Sequence, residues 1–154
     1  MNVTEHSQPS EQDVSRLHDR LAEYMERNRL RSTSQRRLVC DVFFRVGGHL
    51  SIDEVLERVR AKDAKVGYAT VYRTLRLLVD SGLASPRQFG DSVTRFEIAH
   101  ADGHHDHLIC TKCGKIVEFE DDRIEDYQHV LAQRHGFELV SHKHELYGRC
   151  KDCR

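Results

Sequence analysis

The sequence has no hydrophobic run that could cross a bilayer. A membrane-spanning helix needs about 18 to 20 consecutive apolar residues, and no apolar stretch among these 154 residues approaches that length. Residues 1–15 are polar and lack the apolar core of a secretory signal. We therefore expect a cytoplasmic protein that has no membrane partner.

Cysteine is nearly missing from the first two thirds of the chain, where Cys40 is the only one of the five cysteines. Cys40 has no second thiol nearby in sequence, so we interpret it as a structural residue. The sequence also lacks internal repeats and low-complexity segments. Its length suits one ordinary domain or two small ones.

The chain has almost no net charge, but its charges are unevenly distributed. The formal net charge is −1, yet residues 16–86 carry 14 Lys and Arg against 9 Asp and Glu. Residues 87–154 carry 10 basic against 13 acidic residues, and 8 of the 11 histidines lie after residue 99. This asymmetry indicates a polyanion partner for the front part and metal binding for the back part.

Apolar residues in the front part recur at helical spacing. Four short stretches, within residues 13–28, 38–46, 52–59 and 68–81, show this pattern, and Ser51 with Glu54 matches a capping box. Two β-prone runs follow, joined by a turn at Gly90 and Asp91. Short helices followed by a hairpin are the order of a winged helix-turn-helix, whose last helix enters the major groove of DNA.

The back part predicts a small α/β module. Strand-like runs lie at residues 108–109, 116–119 and 137–147, and a helix is predicted over residues 121–134. The helix should bury Ile124, Tyr127, Val130 and Leu131. A module of about 50 residues buries too little surface to be very stable alone, so it would gain from metal or from dimerisation.

Two CxxC pairs flank this module, Cys110 with Cys113 and Cys150 with Cys153. Two such pairs complete a tetrahedral shell of four thiolates, which leaves no open position for catalysis. We therefore predict structural Zn(II), which would link the start of the module to its end. A redox-active pair and unligated thiols are the alternatives.

The stretch from His104 to His107 contains three histidines and Asp106. Alternate side chains of a strand share a face, so His105 and His107 should point one way and His104 and Asp106 the other. One strand could therefore supply two sites. Nitrogen and oxygen donors suit Fe(II), Mn(II), Zn(II), Co(II) or Ni(II), and the sequence does not rank these ions.

Four stretches of the sequence have a recognisable pattern. They are residues 67–75 (GYATVYRTL), 94–97 (TRFE), 104–115 (HHDHLICTKCGK) and 134–150, which begins RHGF and ends LYGRC. Through these stretches the sequence resembles the ferric uptake regulator (Fur) superfamily of metal-dependent bacterial repressors over about residues 16–154.

This resemblance implies an α+β fold and a homodimer, possibly a tetramer. Each chain would have a flexible tail (1–15), a winged-helix DNA-binding domain (16–98), a hinge (99–103) and a metal-binding dimerisation domain (104–154). The partner would be double-stranded DNA with an AT-rich operator. The DNA-binding residues implied by the match are Arg31 for the minor groove and, on the recognition helix, Tyr68, Thr70, Tyr72 and Arg73.

The resemblance also implies three metal sites. The structural Zn(II) site matches Cys110, Cys113, Cys150 and Cys153. The regulatory site matches His49, Glu97, His105, His107 and Glu118, with His100 or Asp102 as substitutes for Glu97. The site within the dimerisation domain matches His104, Asp106, Glu125 and His142.

The regulatory metal is expected to be Fe(II), with Mn(II) or Zn(II) able to substitute. The site has no thiolate, unlike many zinc sensors of the family, and Glu97 and Glu118 stand where peroxide sensors tend to carry Asp. Manganese, zinc, nickel and peroxide sensing remain alternatives within the superfamily. Outside it, the rivals are a zinc-dependent hydrolase and a dimerisation adaptor that does not bind DNA.

Overall fold

The computed structural model describes residues 2–4, 8–99 and 105–154, with backbone alone for residues 2–4. No helix in these ranges is long and apolar enough to cross a membrane. The chain divides into an N-terminal unit, Ser7–Ala101, and a C-terminal unit, Met1–His6 with Asp102–Arg154. The elements in chain order are β1 (Asn2–Thr4), α1 (Glu11–Arg27), α2 (Ser34–Val46), β2 (Leu50–Ser51), α3 (Ile52–Arg60), α4 (Tyr68–Asp80), β3 (Ala84–Gln88), β4 (Thr94–Ile98), β5 (Asp106–Cys110), β6 (Ile116–Glu120), α5 (Asp122–Arg134), β7 (Glu145–Gly148) and a 3-10 helix (Lys151–Cys153).

The N-terminal unit is the winged helix-turn-helix that the sequence predicts. Four helices accompany a three-stranded antiparallel sheet of order β2-β4-β3. Strand β2 lies between α2 and α3, whereas β3 and β4 follow α4 and form the wing. One apolar core joins the helices to the sheet, and its largest fully buried side chains include Phe43, Phe44, Leu75 and Leu78. The short strand β2, which the sequence analysis missed, pairs Leu50 with Phe96 of β4.

Local capping determines where the helices of this unit begin. The predicted capping box is present: the Ser51 hydroxyl accepts from the backbone N–H of Glu54, and the Glu54 carboxylate accepts from the backbone N–H of Ser51. Thr33 caps α2 by accepting from the backbone N–H of Arg36 at 3.2 Å. Gly67 precedes α4 without a side-chain cap.

The start of the chain differs from the flexible tail predicted for residues 1–15. Helix α1 begins at Glu11, because Ser10 and Asp13 form a second capping box that the sequence analysis overlooked. Asn2–Thr4 form strand β1, which pairs with β6. Of the predicted hinge over residues 99–103, residues 100–103 lie outside the described part of the chain.

A four-stranded mixed sheet of order β1-β6-β5-β7 forms the C-terminal unit together with α5. Strand β5 pairs antiparallel with β6 and parallel with β7, so it lies inside the sheet. Its burial pattern leaves only Leu108 exposed. Strand β5, which contains the predicted donors Asp106, His107 and Cys110, is therefore held on both sides by backbone hydrogen bonds.

Two predictions for this unit were wrong in detail. The last strand does not extend over residues 137–147, because β7 pairs with β5 only from Glu145 to Gly148. Helix α5 buries none of its residues within the single chain, although an inward apolar face was predicted. Its apolar side chains, among them Tyr127, Val130 and Leu131, remain exposed.

Candidate metal centre

Four thiols meet at the end of β5. Cys110 ends β5, Cys113 lies in the turn after it, and Cys150 and Cys153 bracket the C-terminal 3-10 helix. Their sulfur atoms all lie within 4.8 Å of one another, and the Sγ atoms of Cys113 and Cys150 are 3.8 Å apart. Tetrahedral Zn–S bonds of about 2.3 Å imply S···S distances near 3.8 Å, so the four thiols fit a zinc ion.

The backbone around these thiols favours one thiolate. Backbone N–H groups, first that of Cys150 and then those of Cys113 and Lys112, lower the pKa of Cys110 to about 6. The pKa of Cys153 rises instead, to about 12, through hydrogen bonds with the thiols of Cys113 and Cys150. Without metal the Cys153 thiol therefore stays protonated at neutral pH, whereas a bound divalent cation would favour its thiolate form.

The regulatory donors of the N-terminal unit form a close pair. His49 lies between α2 and β2, and its Nε2 atom is 2.6 Å from Oε2 of Glu97 on β4. The His49 side chain is 1% exposed, and its ring packs edge-on against Phe89 with centroids 5.1 Å apart. The fold therefore fixes the orientation of the imidazole.

The second oxygen of Glu97 is also bound. The Nε–H of Arg87 on β3 donates to its Oε1 at 2.7 Å. Burial raises the pKa of Glu97, but the contacts with His49 and Arg87 outweigh burial and bring that pKa to about 2. The sequence analysis missed Arg87, because only the β3–β4 register shows that it can reach Glu97.

The regulatory donors of the C-terminal unit lie on neighbouring strands. His107 on β5 and Glu118 on β6 are directly opposite partners, and both are buried. His105 precedes β5 and is half-buried. Within the described part of the C-terminal unit, it joins neither the four cysteines nor the Asp106 group described below.

A third set of donors forms around Asp106, which starts β5. The ligand atoms of Asp106, Glu125 and His142 lie within 4.8 Å of one another. Nε2 of His142 is 3.3 Å from Oε1 of Glu125 and 4.0 Å from Oδ1 of Asp106. One imidazole and two carboxylates suit a borderline or hard divalent ion. His104, the fourth expected member, lies outside the described residues, as do His100 and Asp102.

The expected DNA-reading residues lie on or before α4. Tyr68 and Tyr72 are 49% and 46% exposed, so Tyr72 is not a core aromatic. Arg73 is exposed beside Tyr72, and Thr70 is half-buried. Arg31 is exposed in the segment between α1 and α2, where its carbonyl oxygen accepts a hydrogen bond from Arg36.

A groove beside α4 carries positive charge that the sequence analysis did not identify. It has a volume of about 460 Å³, and its charged lining residues are Arg36, Arg73, Arg76 and Asp80. Arg76 and Asp80 are 3.9 Å apart on the exposed surface of α4. Three arginines against one carboxylate give the recognition helix a surface suited to phosphate groups.

Comparison with known proteins identifies the family. The family model described as "Ferric uptake regulator family" matches residues 27–147. The chain belongs to the ferric uptake regulator family. It is therefore a metal-responsive transcription regulator, and regulators of this family bind DNA and act as dimers. Both rivals, the hydrolase and the adaptor without DNA binding, lose their support.

Relatives of similar length are related to this chain in sequence. The chain is 37% identical over 139 residues to the ferric uptake regulation protein of Campylobacter jejuni, covering 89% of this chain and 88% of the relative. It is 41% identical over 108 residues to the Escherichia coli ferric uptake regulation protein, covering 69% of this chain and 72% of the relative.

Solved structures show the same fold. The Helicobacter pylori ferric uptake regulator, described as having three functional metal binding sites, matches with a TM-score of 0.84 and 34% identity, covering 96% of this chain and 97% of that one. A zinc-bound manganese uptake regulator matches with a TM-score of 0.72 and 38% identity, covering 84% and 98%. The fold is therefore shared by regulators named for different metals.

Proposed function

We propose that this chain is an Fe(II)-sensing repressor that acts in the cytoplasm and binds AT-rich operators of metal-homeostasis genes as a dimer. The observation that carries the proposal is the His49–Glu97 pair, a buried imidazole and carboxylate in contact at 2.6 Å. Imidazole and carboxylate donors without a thiolate suit Fe(II), whereas structural zinc sites are usually rich in thiolate. Relatives named for ferric uptake support the same metal.

The regulatory ion would take its ligands from both units. His49 and Glu97 belong to the unit that carries α4, whereas His107 and Glu118 belong to the C-terminal unit. A bound ion would supply two positive charges and a preferred coordination geometry. When both pairs bind one ion, they restrict the orientation of the units and thereby the spacing of the two α4 helices in the dimer. Metal binding would then shift the population of dimers from a range of orientations toward the one that binds DNA.

His105 also stays in the proposed regulatory set, as the resemblance implies. In the described residues it is half-buried and precedes β5. Whether it binds the ion is tested by comparing His105→Ala with His107→Ala. If His105 is a ligand, both substitutions reduce the metal dependence of operator binding. If only His107→Ala reduces it, His105 does not belong to the site.

Two further ions complete the proposal. The four cysteines would hold structural Zn(II), for which their 3.8 Å sulfur spacing and four-thiol composition are suitable. Asp106, Glu125 and His142, with His104, would bind a second divalent ion inside the C-terminal unit. This second ion would stabilise the dimerisation module and need not be the regulatory metal.

Manganese sensing is the second candidate function. The match to a manganese uptake regulator at 38% identity favours it, and Mn(II) accepts the same nitrogen and oxygen donors. Either ion would use the same residues, so this alternative changes the regulatory metal and not the mechanism.

The test is operator binding at controlled concentrations of free metal. Protein purified without oxygen and holding one zinc per chain is titrated with a promoter fragment in Fe(II), Mn(II), Zn(II) or Ni(II). We expect Fe(II) to raise the DNA affinity roughly 5- to 150-fold, the range of typical allosteric coupling. A response confined to Mn(II) would support the second candidate, and a response confined to Zn(II) would overturn both.

A further inference from the structure

Asp106 has two histidine neighbours, one at each carboxylate oxygen. Its side chain is 1% exposed, and Oδ1 lies on the side of His142, 4.0 Å from Nε2. Oδ2 lies 3.0 Å from Nδ1 of His144. The oxygen near the proposed metal ligands is therefore not the oxygen that contacts His144.

The sheet holds His144 in this position. The backbone N–H of His107 donates to the carbonyl oxygen of His144 at 3.2 Å, which places His144 beside Asp106 at the start of the parallel β5–β7 pairing. Phe119, the β6 partner of Asp106, contacts the His144 ring edge-on with centroids 5.8 Å apart. Backbone pairing and ring packing together fix the direction of the His144 imidazole.

Hydrogen-bond chemistry assigns the direction of this contact. An ionised carboxylate can only accept hydrogen bonds, so Nδ1 of His144 carries the proton and donates to Oδ2. Such a bond limits rotation of the carboxylate and keeps Oδ1 on the side of His142. Ligands of metal ions in proteins are commonly oriented in this way by a neighbouring hydrogen-bond partner.

We propose that His144 is a positioning residue for the metal site of the C-terminal unit. It donates from Nδ1 to Oδ2 of Asp106 and so directs Oδ1 toward the ion held with Glu125 and His142. This inference rests on the proposed function, because it assumes that these three residues bind a divalent ion. His144 itself does not bind the ion in this arrangement.

The metal-free state provides the first test. Two-dimensional ¹⁵N–¹H spectra of the imidazole groups report which ring nitrogen carries the proton. In the dimer with zinc in the four cysteines and no other metal, we expect His144 to be protonated at Nδ1, and Asp106→Asn to alter its nitrogen shifts. A proton on Nε2 alone would overturn the proposal, whether or not the site binds metal.

The second test measures affinity for Co(II), whose visible absorption reports its ligands. The measurement uses the full-length dimer with His49→Ala and Glu97→Ala, which disable the regulatory donors of the N-terminal unit. In that background His144→Leu should weaken Co(II) binding about 10- to 100-fold, the usual effect of removing a residue that orients a ligand. His135→Leu, at the exposed end of α5, is the matched control and should bind normally.

A conservative variant separates positioning from packing. The side-chain NH2 of Asn occupies nearly the same position as Nδ1 of His, so His144→Asn should recover most of the Co(II) affinity and the wild-type spectrum.

Three results would contradict the proposal. Equal Co(II) affinity in His144→Leu and wild type would overturn the positioning role of His144 but not the metal site. A spectrum showing an additional nitrogen ligand, lost in both variants, would make His144 a ligand and also overturn the proposal. Absence of Co(II) binding in the unsubstituted background would overturn the metal site itself.

Discussion

Glu97 shows how neighbouring side chains would prepare the proposed regulatory ligands of the N-terminal unit. One oxygen is 2.6 Å from His49 and the other accepts from Arg87 at 2.7 Å. Both partners favour the ionised carboxylate, which is the form that binds a cation. The charge that the ion needs is therefore present before the ion arrives.

Replacing Arg87 with Met should raise the pKa of Glu97 in the metal-free protein. The wild-type pKa is about 2, and loss of the guanidinium moves it toward the usual value of 4.5. Because a lowered carboxyl pKa contributes stability that is lost as pH falls from the usual value to the folded one, the variant should lose less stability on acidification over that range. The carboxyl ¹³C shift of Glu97, followed against pH, measures this pKa.

Arg95→Met is the control for this substitution. Arg95 lies on β4 but pairs with Asp91 at 2.7 Å, so its removal should leave the Glu97 titration unchanged. An unchanged Glu97 pKa in Arg87→Met would contradict the assigned contact.

The sequence indicated the candidate donor residues but not the side chains that contact them. Spacing alone indicated the four cysteines, because two CxxC pairs have few other uses in a reducing compartment. Arg87 and His144 are visible only once the register is known, since each reaches its partner across a sheet. The expectation that His104 and Asp106 share a face cannot be followed in the structure, because His104 lies outside the described residues.

Helix α4, the proposed recognition helix, carries residues for which we predict two kinds of DNA contact. Tyr72 and Arg73 are exposed near its start, and Arg76 lies one turn later. Arg73 and Arg76 both line the groove with Arg36, but only Arg73 matches a position that the family resemblance assigns to base reading. Base-edge contacts specify sequence, and phosphate contacts give affinity that depends on salt. The two arginines of α4 should therefore respond differently to substitution.

Arg73→Ala should cost about 1–3 kcal/mol of operator affinity and relax the preference at one base pair. Arg76→Gln should weaken binding evenly across sequences and reduce the slope of log K against log salt by about 1. Fluorescence anisotropy at several salt concentrations, with operator and scrambled duplexes, measures both effects. Identical behaviour of the two variants would contradict this division.

Helix α5 has an apolar face that was predicted to be buried within the chain but is exposed in the structure. Tyr127, Val130 and Leu131 have the helical spacing of a buried face, yet they are 63%, 49% and 44% exposed in the single chain. Apolar periodicity reports that a face is covered but not which chain covers it. Because regulators of this family act as dimers, a second copy is the expected cover.

Leu131→Lys should therefore weaken dimerisation by at least about tenfold, since it adds a charge to an apolar contact. Sedimentation velocity over a concentration series measures the change. Gln133→Lys places the same charge on α5 away from Leu131 and should leave the dimer intact. A dimer of unchanged stability in Leu131→Lys would show that α5 does not form the interface.

The four cysteines lie together at the end of β5 and at the C-terminal 3-10 helix. If they bind zinc as proposed, loss of one of them should affect the whole C-terminal unit. In Cys153→Ser we expect zinc content to fall from one ion per chain to nearly none. The unit should then unfold at lower urea concentration, because zinc binding contributes directly to the folding of small domains. Cys40→Ala, in the core of the other unit, should keep its zinc. Full zinc retention in Cys153→Ser would rule out a four-thiol shell.

At the scale of the whole molecule, the unequal distribution of charge and donors matches the two units. The basic residues that we expect to face DNA are in the N-terminal unit, and the four thiols proposed to bind zinc are in the C-terminal unit. The proposed regulatory donors are divided between them. Metal and DNA would therefore act on one conformational equilibrium, which the sequence suggested through resemblance but could not show from spacing.

Reciprocal linkage tests this central claim most directly. The affinity for Fe(II) is measured without oxygen in the presence and in the absence of operator DNA, and the DNA affinity is measured with and without Fe(II). The account predicts the same ratio in both experiments, roughly 5- to 150-fold, and a ratio near one in His49→Ala. An Fe(II) affinity that operator DNA leaves unchanged in the wild-type protein would contradict it.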